Sequence, residues 1–371
     1  MSLDFLFLSE PDMLKAGVLD MKRCVQSMDD MFHVMGQGDY LMGSPSENHH
    51  GMMLWFPEKK RTEKMPVAGP DRRFMAMPAY LGGRFNICSN KWYGSNMANK
   101  EKGLPRSILT VMLNDVDTGA PVALMSANLL SSMRTGAIPG VAVKHLQRKG
   151  ASVLSIIGAG VVSRSCLLGI RETMTDLKEI RVYDLFPEKA EAFAKSMSAE
   201  IGLPIKPVTT MKEAVVGCDV ISVAASGIAP VDIPDEWIKP GCVIVCTGAA
   251  MFSKECLLKN HVVFDNWKMH KDWLDELRDT PERLLGVNAG HPSAKLLLMV
   301  AHGEVDGDHM ISFGDLLVDP ELGRKSDDDV FLFLTGGMGT EDAAWGYDVY
   351  TEAVRLGLGT KLTLWDKPHW A

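Results

Sequence analysis

The chain has 371 residues, of which 46% are hydrophobic and 23% charged, and its 39 basic and 47 acidic side chains leave a net charge of −8. This is ordinary globular composition, long enough for two domains and without the bias of a disordered chain. No basic stripe and no aromatic-interleaved Lys/Arg cluster runs through it, which argues against nucleic acid as a partner, and no apolar run reaches the ~18 residues of a membrane span. Met1-Ser2-Leu3-Asp4-Phe5 carries an acid where a secretion signal carries positive charge. The seven cysteines are scattered and form no CxxC pair, so they read as reduced core thiols of a cytoplasmic protein with no metal site. The 24 methionines are spread throughout and are read as core fillers.

Over the first 127 residues, Pro, Gly and Asn punctuate short strands. Ile108 to Leu113 and Pro121 to Met125 are joined by Asp115-Val116-Asp117-Thr118-Gly119, the composition of a hairpin turn, which predicts an antiparallel sheet in an α+β domain. From Val153 onward strand and helix alternate. A strand ends at Ile157 and a second runs from Glu179 to Asp184. A helix follows from about Glu188 to Glu200, then a short strand near Ile205 and a helix from Met211 to Val216. Asp219 to Ala224 and Cys242 to Cys246 are almost wholly apolar, as parallel strands covered on both faces must be, and Val262 to Asp265 reads as another. Asp327-Asp328-Asp329 reads as a solvated turn before an apolar strand, Val330 to Leu334. Gly336-Gly337 then leads into a helix from about Thr340 to Arg355.

Ser152-Val153-Leu154-Ser155-Ile156-Ile157-Gly158-Ala159-Gly160-Val161-Val162-Ser163 is the most telling stretch, since a strand runs straight into a glycine turn and a helix start. Gly158 permits the turn, Gly160 lets the backbone approach a pyrophosphate, and the first helical amides, on Val161, Val162 and Ser163, point partial positive charge at it. Ser163 stands where the usual fingerprint has its third glycine. Asp184 ends the next strand 26 residues past Gly158, close to the spacing of an acid that bonds a ribose hydroxyl. Its charge would repel a 2′-phosphate and no Arg immediately follows it, so NAD is the expected cofactor and NADP the less favoured one.

Met77-Pro78-Ala79-Tyr80, Lys91, Asp115 to Pro121, Met133-Arg134-Thr135-Gly136-Ala137 and Ile157-Gly158-Ala159-Gly160 occur in an order that resembles the ornithine cyclodeaminase/mu-crystallin family. Gly323-Arg324-Lys325-Ser326-Asp327 and Gly357-Leu358-Gly359-Thr360 extend the resemblance towards the C-terminus. It implies an α/β fold in which a Rossmann-type doubly wound parallel sheet is inserted in an α+β substrate and dimerisation domain made from both termini. The expected division is 1–128 plus 331–371 against an NAD-binding 129–330, with a homodimer as the assembly. It also implies hydride transfer between nicotinamide and the α-carbon of a small amino or imino acid. Lys91 and Arg134 match the family's catalytic and substrate-contacting residues, and Gly336 falls in a substrate-facing segment. Arg134, Thr135, Ser226, Thr247, Gly248 and Thr335 join Gly158, Gly160, Val161, Val162, Ser163 and Asp184 as cofactor-binding positions. A guanidinium suits a carboxylate because its fork donates two parallel bonds, and a lysine among apolar and aromatic groups can have its pKa lowered enough to act as a proton donor.

The chain departs from the family at Thr247-Gly248-Ala249-Ala250, where Ala249 replaces the aspartate that handles the amine proton in the cyclodeaminase. A second family carboxylate would fall near Met75 and is absent, and the upstream arginine stays open among Arg61, Arg72 and Arg73. Reduction of a preformed imine needs a hydride and one proton donor but no amine-activating base, so an NAD(P)-dependent ketimine reductase or amino-acid dehydrogenase is the expected activity. The alternatives are an ornithine cyclodeaminase-type ammonia lyase and a non-catalytic, crystallin-like nicotinamide-binding protein.

Overall fold

The computed structural model describes residues 2–225, 229–276 and 292–370, which form two compact units. The first comprises residues 1–20, 39–134 and 338–371. Among the described residues it holds an eight-stranded sheet in the order Thr360–Trp365, Leu3–Leu8, Pro121–Ser126, Ser107–Asn114, Ile87–Ser95, Arg73–Leu81 and Tyr40–Met42, with Met52–Trp55 also on Arg73–Leu81. All pairings are antiparallel except Leu3–Leu8 with Pro121–Ser126, and the hairpin through Asp115 to Gly119 is present. Alternation along the strands gives the sheet two different faces. Met75, Met77, Lys91, Val111, Leu113 and Met125 point to the face covered by the helix Gly339–Arg355 and are buried. Phe74, Trp92 and Met112 lie on the other face and stay exposed.

The second unit comprises residues 21–38 and 135–337. Its sheet runs in the order Ile205–Pro207, Glu179–Tyr183, Val153–Ile157, Val220–Val223, Val243–Cys246, Phe331–Leu334, His261–Phe264 and Ile311–Ser312, all parallel. Strand order reverses at Val153–Ile157, the point where doubly wound sheets open a crevice at the carboxyl ends of their strands. No helix among the described residues is long and apolar enough to cross a membrane.

These units differ from the expected division in three places, one being that residues 129–134, in the helix Asn128–Leu146, group with the first unit. Phe331–Leu334 is a strand of the parallel sheet between Val243–Cys246 and His261–Phe264, and not part of the first unit. Its four residues are at most 1% exposed, which an apolar strand reaches only with neighbours on both sides and cover on both faces. The helix Met21–Gly36 groups with the second unit, because a Cβ on Gly36 would stand 2.1 Å from the Gly314 carbonyl oxygen and Phe32 packs edge-on against Phe313 at 4.9 Å. Only glycine allows that approach.

Candidate functional site

In the second unit, Gly158, Gly160, Asp184, Thr247, Gly248 and Thr335 follow the carboxyl ends of the strands Val153–Ile157, Glu179–Tyr183, Val243–Cys246 and Phe331–Leu334. Gly158 has φ +94°, and a Cβ there would lie 2.8 Å from the Ala225 Cα, so both backbone sign and space demand glycine. Gly160 caps the helix Val161–Thr173 without a side-chain bond, and a Cβ there would meet nothing. The first-turn amides therefore open onto free space. Val161 and Val162 are exposed beside them, whereas Ser163 is fully buried, so only its main chain remains to meet a ligand. Packing takes that side chain, as it takes the third glycine of the usual fingerprint.

Asp184 follows the neighbouring strand. Its Oδ2 accepts from the Ala159 amide at 2.8 Å and its Oδ1 from the Phe186 amide at 3.0 Å, which pins the glycine turn to the strand end. Each oxygen keeps a lone pair for a further donor. Asp184, Gly158, Gly160, Phe186, Lys189 and Met211 line a cavity of about 460 Å³, and the Lys189 ammonium sits 4.3 Å from the Phe186 ring centroid. Further along the edge, the Gly248 amide bonds the Val223 carbonyl at 2.9 Å, and a Cβ on Gly248 would stand 2.5 Å from the Ala225 oxygen. Thr247 Oγ1 donates to the Val223 carbonyl at 3.2 Å, and Thr335 Oγ1 to the Cys246 carbonyl at 3.2 Å. Ala249 is buried, with no side-chain polarity to offer. Ser226 lies outside the described residues.

The resemblance motifs are not all ligand residues. Arg134 and Thr135 lie on the helix Asn128–Leu146, where a Cβ on Gly136 would reach within 2.3 Å of the Ser165 backbone. That glycine serves helix packing. Arg324 donates to the carbonyls of Leu146, Gly241 and Asp329 at 2.7, 3.1 and 2.6 Å, which ties three turns together.

The first unit holds a separate cluster of buried charge. Lys91 is in the middle of Ile87–Ser95, opposite Met77 on one side and Val111 on the other, and is 3% exposed. Its Nζ donates to Asp342 Oδ2 at 2.7 Å and lies 5.7 Å from the Tyr93 ring centroid. Arg134 is also buried. Its Nε donates to Asp342 Oδ1 at 3.3 Å, its Nη1 to Glu341 and its Nη2 to Ser131 Oγ at 3.3 Å. Glu341 and Asp342 fall in the first turn of Gly339–Arg355, where the helix dipole favours negative charge, and both are fully buried. Gly339 starts that helix 3.0 Å, measured from a would-be Cβ, from the Met77 carbonyl oxygen, a closeness that brings the acids down onto the sheet. Burial pushes the Lys91 pKa below its ordinary 10.5, the Arg134 charge adds to this, and Asp342 opposes it. Burial also lowers that of Arg134, but Asp342 and Glu341 outweigh it and hold the guanidinium charged.

Glu341 and Asp342 were not among the expected site residues. Their only sequence signal is two acids inside an otherwise apolar stripe, Gly339-Thr340-Glu341-Asp342-Ala343-Ala344-Trp345. Of the three upstream arginines, Arg73 is on the Lys91 face of the sheet, with its Nη2 3.5 Å from the Tyr93 hydroxyl. Arg72 donates to the Val67 carbonyl at 3.1 Å, and Arg61 is exposed. Met75 is buried on the same face and brings no acid there.

Fold and side-chain geometry together define a nucleotide-binding type of parallel sheet accompanied by a sheet unit that buries two cations against two carboxylates. The model of the ornithine cyclodeaminase/mu-crystallin family matches residues 18–356, and the chain belongs to that family. It is 31% identical over 298 residues to the N-((2S)-2-amino-2-carboxyethyl)-L-glutamate dehydrogenase of Staphylococcus aureus, covering 79% of this chain and 82% of that one. It is 29% identical to the alanine dehydrogenase of Archaeoglobus fulgidus, over 77% and 82% of the two chains. Among solved structures it resembles the Thermococcus litoralis Delta(1)-pyrroline-2-carboxylate reductase in complex with NADH and L-proline. There the TM-score is 0.75 and the identity 28%, with 96% of this chain and 99% of that one covered.

Proposed function

We propose that the protein is an NAD-dependent oxidoreductase that reduces the C=N bond of an imino acid, or oxidises the matching amino acid, at the carbon next to a carboxylate. The observation that carries this reading is Lys91, a buried ammonium held below its ordinary pKa beside Arg134 and Asp342. In reduction Lys91 gives its proton to the imine nitrogen; in oxidation the neutral amine takes one. The relatives named above, two dehydrogenases and an imino-acid reductase, support the same chemistry. The four buried charges Lys91, Arg134, Glu341 and Asp342 cancel. Arg134 is proposed to bind the carboxylate, and Gly336 is proposed as a further substrate-contacting residue.

The residues fit a dinucleotide: a free helix N-terminus at Gly160 and a carboxylate-lined cavity are what NAD needs. Gly158, Gly160, the amides of Val161, Val162 and Ser163, Asp184, Ser226, Thr247, Gly248 and Thr335, with Arg134 and Thr135, would hold it. Bound nicotinamide supplies the hydride. Incubating the protein with NADH and a panel of cyclic and linear imino acids, and with NAD and amino acids, should give a substrate-dependent change in NADH absorbance. Cofactor binding without turnover on every member would leave the non-catalytic reading. Glu341 and Asp342 favour one second reading, because they supply buried carboxylates in a chain that lacks the family aspartate at Ala249. Ornithine consumed with ammonia release and no net change in NADH would select the ammonia lyase.

Asp184→Ser should move cofactor preference towards NADPH by up to about 3 kcal/mol. It removes the repelling carboxylate and leaves Lys189 on the same cavity wall to meet a 2′-phosphate. Steady-state kinetics with both cofactors checks this, and a wild type that already prefers NADPH would refute the assignment.

In the cell the protein is proposed to be a cytoplasmic homodimer joined through the open face of the first unit's sheet. Met52, Leu54, Phe74, Trp92, Ile108 and Met112 all point to that face and are 37–75% exposed, with Phe74 and Trp92 stacked at 5.6 Å. So much contiguous apolar surface on one face marks an interface. Sedimentation should give twice the 40.7 kDa chain mass, and Trp92→Glu should shift the protein towards monomer. A wild-type monomer that still binds cofactor would remove the proposal.

A further inference from the structure

Asp265, His270 and Ser293 form a buried trio in the second unit. His270 Nε2 is 2.9 Å from Asp265 Oδ1 and its Nδ1 2.8 Å from Ser293 Oγ. The arrangement is that of an acid, a base and a hydroxyl ready for nucleophilic chemistry, but the three residues are no more than 1% exposed. A sealed serine attacks nothing, so the trio has another use.

That use is visible on the other carboxylate oxygen. Asp265 ends the strand His261–Phe264, next to Phe331–Leu334 in the sheet, and its Oδ2 accepts from the amides of Gly336 and Gly337 at 2.5 and 3.0 Å. Two successive amides on one oxygen fix the orientation of a turn. Gly337 has φ +77°, and a Cβ on Gly336 would come within 2.2 Å of Met269 Cε and 3.2 Å of His270 Nε2, so the turn is seated directly on the helix that carries His270. Burial raises the Asp265 pKa, but the bond and charge of His270 and the two glycine amides outweigh it, and the carboxylate stays ionised. The two ring nitrogens hold Asp265 and Ser293; Phe264 and Trp273, with ring centroids at 4.6 and 5.2 Å, wall the imidazole in. The chain of bonds thus runs Ser293 to His270 to Asp265 to the turn.

We propose that Asp265 and His270 are positioning residues that hold the Gly336–Gly337 turn in the shape that meets substrate. This rests on the reading that Gly336 faces substrate. Asp265→Asn keeps the shape but replaces one acceptor oxygen with a donor, which then faces either His270 or the glycine amides. Amide hydrogen exchange of the Gly336–Gly337 peptide should accelerate at least about tenfold in this variant. With NADH and the best imino acid of the panel, substrate KM should rise about 10–100-fold, while the NADH dissociation constant stays within about twofold. His270→Ala should behave likewise, and His270→Gln, whose amide can still donate to Asp265, should recover to within about threefold of wild type. The His270 pair carries both readouts if Asp265→Asn does not fold. Unchanged exchange, an unchanged KM or a parallel loss of NADH affinity would overturn the proposal. If wild type turns over no member of the panel, the functional reading fails, and the exchange result by itself decides whether the trio holds the turn.

Discussion

Lys91→Met should lower the turnover number about 10²–10⁴-fold and leave NADH affinity nearly unchanged. Methionine matches the stem in length but carries no proton. The bond that is lost goes to Asp342, which is not among the cofactor-binding positions. The pH profile gives a sharper signature. Imine reduction uses the charged form of Lys91, and burial with the Arg134 charge holds its pKa below 10.5. Wild-type reduction should therefore fall on the alkaline side as pH rises through that lowered value, where the donor form is lost, and the oxidative direction should rise there. In Lys91→Met this limb should vanish. A limb that survives the substitution, or a rate loss below about tenfold, would assign the proton to another group and make Lys91 a structural cation.

The second large effect is expected on stability. Asp342 bridges Lys91 at 2.7 Å and Arg134 at 3.3 Å with no solvent exposure. Asp342→Asn leaves one uncompensated positive charge in the interior, and breaking such a buried pair costs about 3–5 kcal/mol. Lys91→Met leaves the opposite excess. The double variant is balanced again, since Arg134 and Glu341 still cancel. It should therefore be more stable than the sum of the single losses by about 1–3 kcal/mol. Chemical denaturation followed through a probe in the first unit measures all three. Strict additivity would mean that the two side chains do not share a field, and that the cluster owes its geometry to packing alone.

The sequence by itself determined the parallel sheet and its nucleotide edge. A strand running into Gly158 and Gly160, and an acid closing the next strand at Asp184, are local chemistry. Apolar runs such as Val220–Val223 and Val243–Cys246 satisfy only one environment, a strand covered on both sides. The hairpin through Asp115 to Gly119 is equally local, and Lys91 and Arg134 were legible through the motifs around them. Tertiary structure alone decided what those two cations touch. Asp342 is 251 residues from Lys91 and 208 from Arg134 in the chain, and no periodicity relates positions so far apart. Only the approach of Gly339 to the sheet brings the acids there. The same holds for Asp265, which reads as the tail of a strand until Gly336, 71 residues later, folds its amide onto the carboxylate. Phe331–Leu334 went to the other unit for a related reason. An apolar tetrapeptide states that it must be buried, but which sheet buries it is set by the neighbours that close around it.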